Sequence, residues 1–134
     1  MSNQEHCQKI AGYWMEKAEE SLESARLEYS QGHFGFCINR LYYAAFYAVS
    51  AVLAARGLKY GKHAAVRASL HRDFVKKGIV SVEFGKLYDH LFYDRQEADY
   101  VAFVEFDQQV IKKEIEKVGE FLYAFCCILK QKRT

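Results

Sequence analysis

Along most of the chain, apolar residues recur at three- and four-residue steps. Trp14, Ala18, Leu22, Ala25 and Tyr29, with Glu and Lys between them, predict an amphipathic helix from about Gln8 to Tyr29. The segment "SQGHFG" breaks it. Residues 34–56 then predict a second helix, apolar nearly all round, which ends where "RGLKYGK" places Gly at a helix terminus. Two long helices joined in this way form an antiparallel hairpin. Val66, Leu70 and Phe74 mark the apolar stripe of a shorter third helix ending at Gly78. Ser81 can cap a fourth, with Phe84, Leu87, Tyr88 and Leu91 facing inward. The pattern stops in "DRQEADYVAFVEFD". From about Asp107 a last helix places Ile111, Ile115, Val118, Leu122, Phe125 and Leu129 at alternating four- and three-residue spacing, a bundle seam. No period-two run is long enough to predict a strand. The expectation is an all-α fold, an antiparallel helical bundle of four to five helices, with residues 1–134 forming one domain.

Composition agrees with this pattern. The 134 residues hold ten Tyr, ten Phe and one Trp, enough apolar bulk for a core without a disulfide or metal, and no Pro to interrupt the helices. The four cysteines show no CxxC spacing, and the adjacent Cys126 and Cys127 point about 100° apart on a helix. Reduced, mostly packed thiols are expected, with no metal site and no cofactor. The N-terminus lacks a basic region followed by an apolar run, and no window holds ~18 unbroken apolar residues. A cytoplasmic protein without a membrane segment is therefore expected.

The net charge of +2 is unevenly divided. Residues 59–77 carry six Lys or Arg against one Asp, leaving 13 basic and 16 acidic residues elsewhere. Within that segment His63, Arg67 and His71 fall at four-residue steps and share a helix face. They could form an anion-binding strip, or simply a solvated face.

The segment "NRLYYAAFYAVSAVL", residues 39–53, poses the sharper question. Arg40, Tyr43 and Tyr47 share one stripe with the small Ala44 and Ala51, whereas Leu41, Ala45, Ala48 and Val52 occupy a side suited to the core. The stripe could line a groove or a subunit interface, where Arg and Tyr combine apolar bulk with a polar end. Alternatively Arg40 pairs inside the protomer with Asp94, Glu97 or Asp99, and the tyrosines are ordinary core aromatics.

"NRLYYAAFYAVSAVL", "KHAAVRASLHRDFVKKG", "LYDHLFYDRQEADY" and the final amphipathic helix, in this order, resemble the HEPN domain family in its branch of small stand-alone bacterial and archaeal proteins. The resemblance implies a helical bundle that forms a homodimer and is often encoded beside a minimal nucleotidyltransferase as a toxin-antitoxin pair. In active members it implies a metal-independent RNA endonuclease. Its motif is an Arg followed after four to six residues by a His, both subunits lining one cleft. Here the Arg is Arg40, preceded by the polar Asn39, and Tyr47 stands where the His is expected. Imidazole, with an unperturbed pKa of about 6.5, can give or take a proton near neutrality. A phenol acting as base at pH 7 would need its pKa of about 10 lowered by roughly 3 pH units, around 4 kcal/mol. It could still donate a hydrogen bond to a phosphate held by Arg40.

Three functions remain open at this point. One is a protein that binds nucleotide or RNA phosphate through Asn39, Arg40, Tyr43, His63, Arg67 and His71, or seats a nucleotidyltransferase, with cleavage lost or weak. The second is an endoribonuclease using a variant site of Arg40 with Tyr47 or a His from another helix. The third is a structural dimeric module.

Overall fold

The computed structural model describes residues 2–100, 102 and 104–131. Five helices follow one another: α1 (Asn3–Ser30), α2 (Phe34–Ala55), α3 (His63–Ser69, continued by a wider π turn over Leu70–Val75), α4 (Val82–Tyr100) and α5 (Gln108–Lys130). There is no strand among the described residues.

The boundaries follow from local chemistry. The Ser2 hydroxyl accepts from Glu5 N at 3.1 Å to open α1. Asp107 Oδ1 accepts from the backbone N of Gln109 and Val110 to open α5. Ser81 Oγ accepts from Phe84 N at 3.3 Å, as its position before α4 predicts. The chain leaves α1 through Gly32 and α2 through Gly57, at φ of 77° and 76°, a left-handed backbone that side chains other than Gly adopt at a cost.

α2 is the central helix and packs against α1, α3, α4 and α5. By length and composition it could cross a membrane, yet 61% of its most apolar window is buried inside the protein. Its most extensive contact is with α1. Here Ala11, Ala18 and Ala25 on α1, and Cys37, Ala44 and Ala51 on α2, recur every seven residues and are all fully buried. Small side chains let two helix backbones approach closely, so Ala44 and Ala51 are covered within the protomer. This corrects their expected place beside Arg40 on an open stripe.

A second correction concerns α4. The charged run "DRQEADY" does not end the helix, which continues to Tyr100. It contains neither Gly nor Pro, and its residues are compatible with a helix whose outer side is solvated. In the core Val66, Leu70 and Phe74 are buried as their spacing predicts, and so is the α5 seam from Ile111 to Phe125. Phe121 and Glu114 join that seam. Phe121 stacks on Phe125, with ring centroids 4.7 Å apart, and on Tyr88, tying α5 to α4. All four cysteines are free, with Cys37 fully buried and its thiol pushed up to about 12, chiefly by burial.

Candidate functional site

Where α1 and α2 lie side by side, Lys17, Glu20, Ser21 and Ser24 from α1 and Arg40, Tyr43 and Tyr47 from α2 line a shallow groove of about 470 Å³. Arg40 is exposed, and its Nη1 donates to Oδ1 of the preceding Asn39 at 2.8 Å. Among the described residues no carboxylate lies within ion-pair distance of Arg40, and Asp94, Glu97 and Asp99 do not turn toward it. The guanidinium is oriented by a neutral amide and keeps its remaining donors for solvent or a ligand.

Aromatic rings shape the groove wall. Tyr47 stacks on Trp14, with ring centroids 5.4 Å apart, and lies 5.8 Å from Tyr43. Lys17 Nζ sits 5.5 Å from the Tyr13 ring and 5.8 Å from the Tyr47 ring. Lys17 and Arg40 thus bring two cations to the groove, opposed by the carboxylate of Glu20.

Behind the groove Tyr43 meets a second cation. Arg95, from the part of α4 where the apolar pattern stops, donates from Nη1 to the Tyr43 hydroxyl at 3.5 Å. Its guanidinium lies 4.9 Å from the Tyr42 ring and 5.8 Å from the Tyr43 ring. The Arg95 side chain is only 15% exposed, with Asp99 at 3.9 Å and its Nε buried without a partner. Of these two arginines, Arg95 is the more deeply covered and Arg40 the exposed one.

The three α3 residues belong to a different neighbourhood. His63 stacks on Phe46 at 4.3 Å and is hydrogen-bonded through Nδ1 to the Tyr42 hydroxyl at 2.8 Å. Burial, then the charge of Arg95, lowers the His63 pKa, which favours the neutral ring. Burial pushes the Tyr42 hydroxyl up to about 12. Arg67 Nε donates to Asp89 Oδ1 at 2.7 Å, and His71 Nε2 reaches the same oxygen at 2.8 Å. Arg67 also covers the rings of Phe92 and Tyr93 at 5.0 and 5.2 Å. Partial burial works against ionised Asp89, but hydrogen bonds from Arg67 and His71 outweigh it and hold the carboxyl below its usual range. Asn39, Arg40, Tyr43 and Tyr47 come together on the groove side, while His63, Arg67 and His71 tie α3 to α2 and α4 and do not line the groove.

Sequence reasoning missed Trp14, Lys17, Asp89 and Arg95. Lys17 lies one helical turn after Trp14, yet nothing in the α1 pattern says which face of α2 it meets. Arg95 is a cation largely withdrawn from solvent, and the rings of Tyr42 and Tyr43 that face it, with Asp99, come together only in the folded chain.

The model of the HEPN domain matches residues 11–129. A Thermotoga maritima protein named "UPF0332 protein" is 43% identical over 117 residues, covering 87% of this chain and 89% of that protein. A Methanocaldococcus jannaschii protein named "Putative toxin MJ0142" is 32% identical over 81% of this chain and 74% of its own length. Another from that organism, "Putative toxin MJ0605", is 30% identical over 66% of each chain. With an all-helical bundle and a family match over nearly the whole sequence, the chain belongs to the HEPN domain family.

Proposed function

We propose that this protein is a toxin-like HEPN protein whose Arg40 groove binds the phosphates of RNA or a nucleotide, with slow or no cleavage. The observation that carries the reading is the exposed Arg40 guanidinium, held by Asn39 and without an ion-pair partner among the described residues, beside Lys17 and two tyrosines. Phosphate takes hydrogen bonds from guanidinium and ammonium donors, and the half-buried rings of Tyr43 and Tyr47 leave aromatic edge beside them for a nucleobase. Names given to the Methanocaldococcus jannaschii relatives support the toxin-like role. Tyr47 at the expected histidine position argues against fast proton transfer, and His63 lies outside the groove lining. The reading takes the protein as a homodimer whose two Arg40 residues face one cleft, with a minimal nucleotidyltransferase as a possible second partner, both from the HEPN resemblance.

Fluorescence anisotropy with a single-stranded RNA oligonucleotide at several salt concentrations tests it. Wild type binds with an affinity that falls as salt rises. Arg40→Ala and Lys17→Ala each weaken binding and flatten the salt dependence by roughly one ion, whereas Glu20→Gln tightens binding. Equal affinity in wild type and Arg40→Ala overturns the reading. A digestion time course in chelator separates binding from catalysis: Arg40-dependent cleavage by wild type would establish the endoribonuclease instead. Under the binding reading, only Tyr47→His, which supplies imidazole, gains cleavage.

A further inference from the structure

On the side of the bundle where α4 meets α5, three potential ligands converge. His90 and Asp94 lie one turn apart on α4, with Nε2 and Oδ2 3.0 Å from each other. Glu114 reaches them from α5, its Oε1 3.8 Å from His90 Nε2. One ligand atom from each residue lies within 4.8 Å of the other two. We propose that His90, Asp94 and Glu114 form a binding site for a divalent transition-metal cation, with Zn²⁺ as the probe ion.

Glu114 is the reason to assign a ligand here. It stands at a core position of α5 between Ile111 and Ile115 and is only 5% exposed. Among the described residues its Oε2 is buried without a hydrogen-bond partner, and His90 Nε2, at 3.8 Å from Oε1, stands beyond hydrogen-bond distance. A carboxylate in such surroundings is costly unless a positive charge faces it. Burial pushes its pKa up to about 7, and a bound cation would favour its ionised form.

The donor set fits a borderline cation. One imidazole nitrogen and two carboxylate oxygens, at bond lengths of about 2.0–2.2 Å, stand roughly 3.0–3.5 Å from one another around Zn²⁺. His90 and Asp94 already meet that spacing, and Glu114 Oε1, 3.8 Å from His90 Nε2, lies a little beyond it. His90 is 58% exposed and borders an open groove of about 570 Å³ between α4 and α5, so a cation can enter and water can fill a fourth position. Lys113 and Lys117 line that groove and oppose a cation, but they lie on its solvent side.

The site is separate from the Arg40 groove, so its fate does not depend on RNA binding. A cation there would join α4 to α5 one residue before Arg95, on the helix that backs Tyr43. Titration of the purified full chain with Zn²⁺ against a chromophoric competing chelator, in reducing buffer, tests the proposal. The expected result is one equivalent per chain and a rise in Tm on the order of 10 °C at a hundredfold excess over Kd. His90→Ala, Asp94→Asn and Glu114→Gln each weaken binding by at least about tenfold. Circular dichroism establishes that each variant is folded, and Asp94→Asn leaves the core untouched. Cobalt substitution adds a spectroscopic check, since a nitrogen and oxygen site shows no thiolate charge-transfer band. Absence of saturable binding overturns the proposal. Thiolate absorption that persists in the variants also overturns it, since the cysteines would then hold the metal.

Discussion

Two arginines meet the tyrosines of α2 in opposite ways. Arg40 stands in solvent with a neighbouring amide as its acceptor, whereas Arg95 is nearly closed off between the faces of Tyr42 and Tyr43. The first makes no ion pair among the described residues and stands at a groove that Glu20 also lines. The second lies beside a partly exposed polar network of His63, Arg67, His71 and Asp89 that joins α2, α3 and α4. Burial thus separates two uses of the same side-chain chemistry: where rings cover the guanidinium it holds helices together, and where they only flank it the cation remains available to a ligand.

The contrast breaks most visibly at Arg95. Arg95→Ala removes a desolvated cation–π contact and its packing, and is expected to cost about 2–3 kcal/mol in urea unfolding. Arg95→Met, which fills the space without a charge, should lose less than about 1 kcal/mol. Asp89→Ala leaves Arg67 and His71 without their shared acceptor. Because all three side chains are roughly one-third exposed, water recovers part of the loss, and about 1 kcal/mol is expected.

The polar network also sets a pH dependence. The His63 pKa is lowered on folding, so below about 6.5 the unfolded chain binds a proton that the folded one resists, and stability falls as the medium is acidified. Asp89, also lowered, contributes stability above about 3.9 that is lost as pH falls through its folded value. Glu114, raised to about 7 by burial, works in the opposite sense and gains stability as pH falls, so the His63 share is read as the difference in urea midpoints between wild type and His63→Gln across this range. That difference should shift against wild type below about 6.5, and a difference that does not change with pH would detach His63 from the effect. The smallest change belongs to Arg40. Arg40→Ala should shift unfolding by less than about 0.5 kcal/mol, because nothing in the core leans on that side chain. A larger loss there than at Arg95 would invert the contrast.

Much of the bundle could be read from residue spacing. Trp14 to Tyr29, Val66 to Phe74 and Ile111 to Phe125 carried their periodicity openly, and Ser81 and Asp107 announced helix starts. The extension of α4 was less legible, because an apolar stripe that fades does not by itself end a helix. Arg40 and Asn39 were readable as a polar pair on an apolar helix. Their groove was not, since Lys17 and Trp14 reach it from another helix. Glu114 resembled any surface glutamate until α5 was laid against α4. Ala44 and Ala51 marked a close helix approach correctly, but α1, already in the chain, makes that approach.

The direct connection between α1 and α2 bears on the order of assembly. Their contacts join residues close in sequence across the turn at Gly32, so little loop entropy is lost in forming the hairpin, and local contacts of this kind form quickly. Every residue lining the Arg40 groove lies on those two helices. The groove proposed to take phosphate is therefore framed by the stretch of chain with the shortest search for its mate, before the distant α5 needs to arrive.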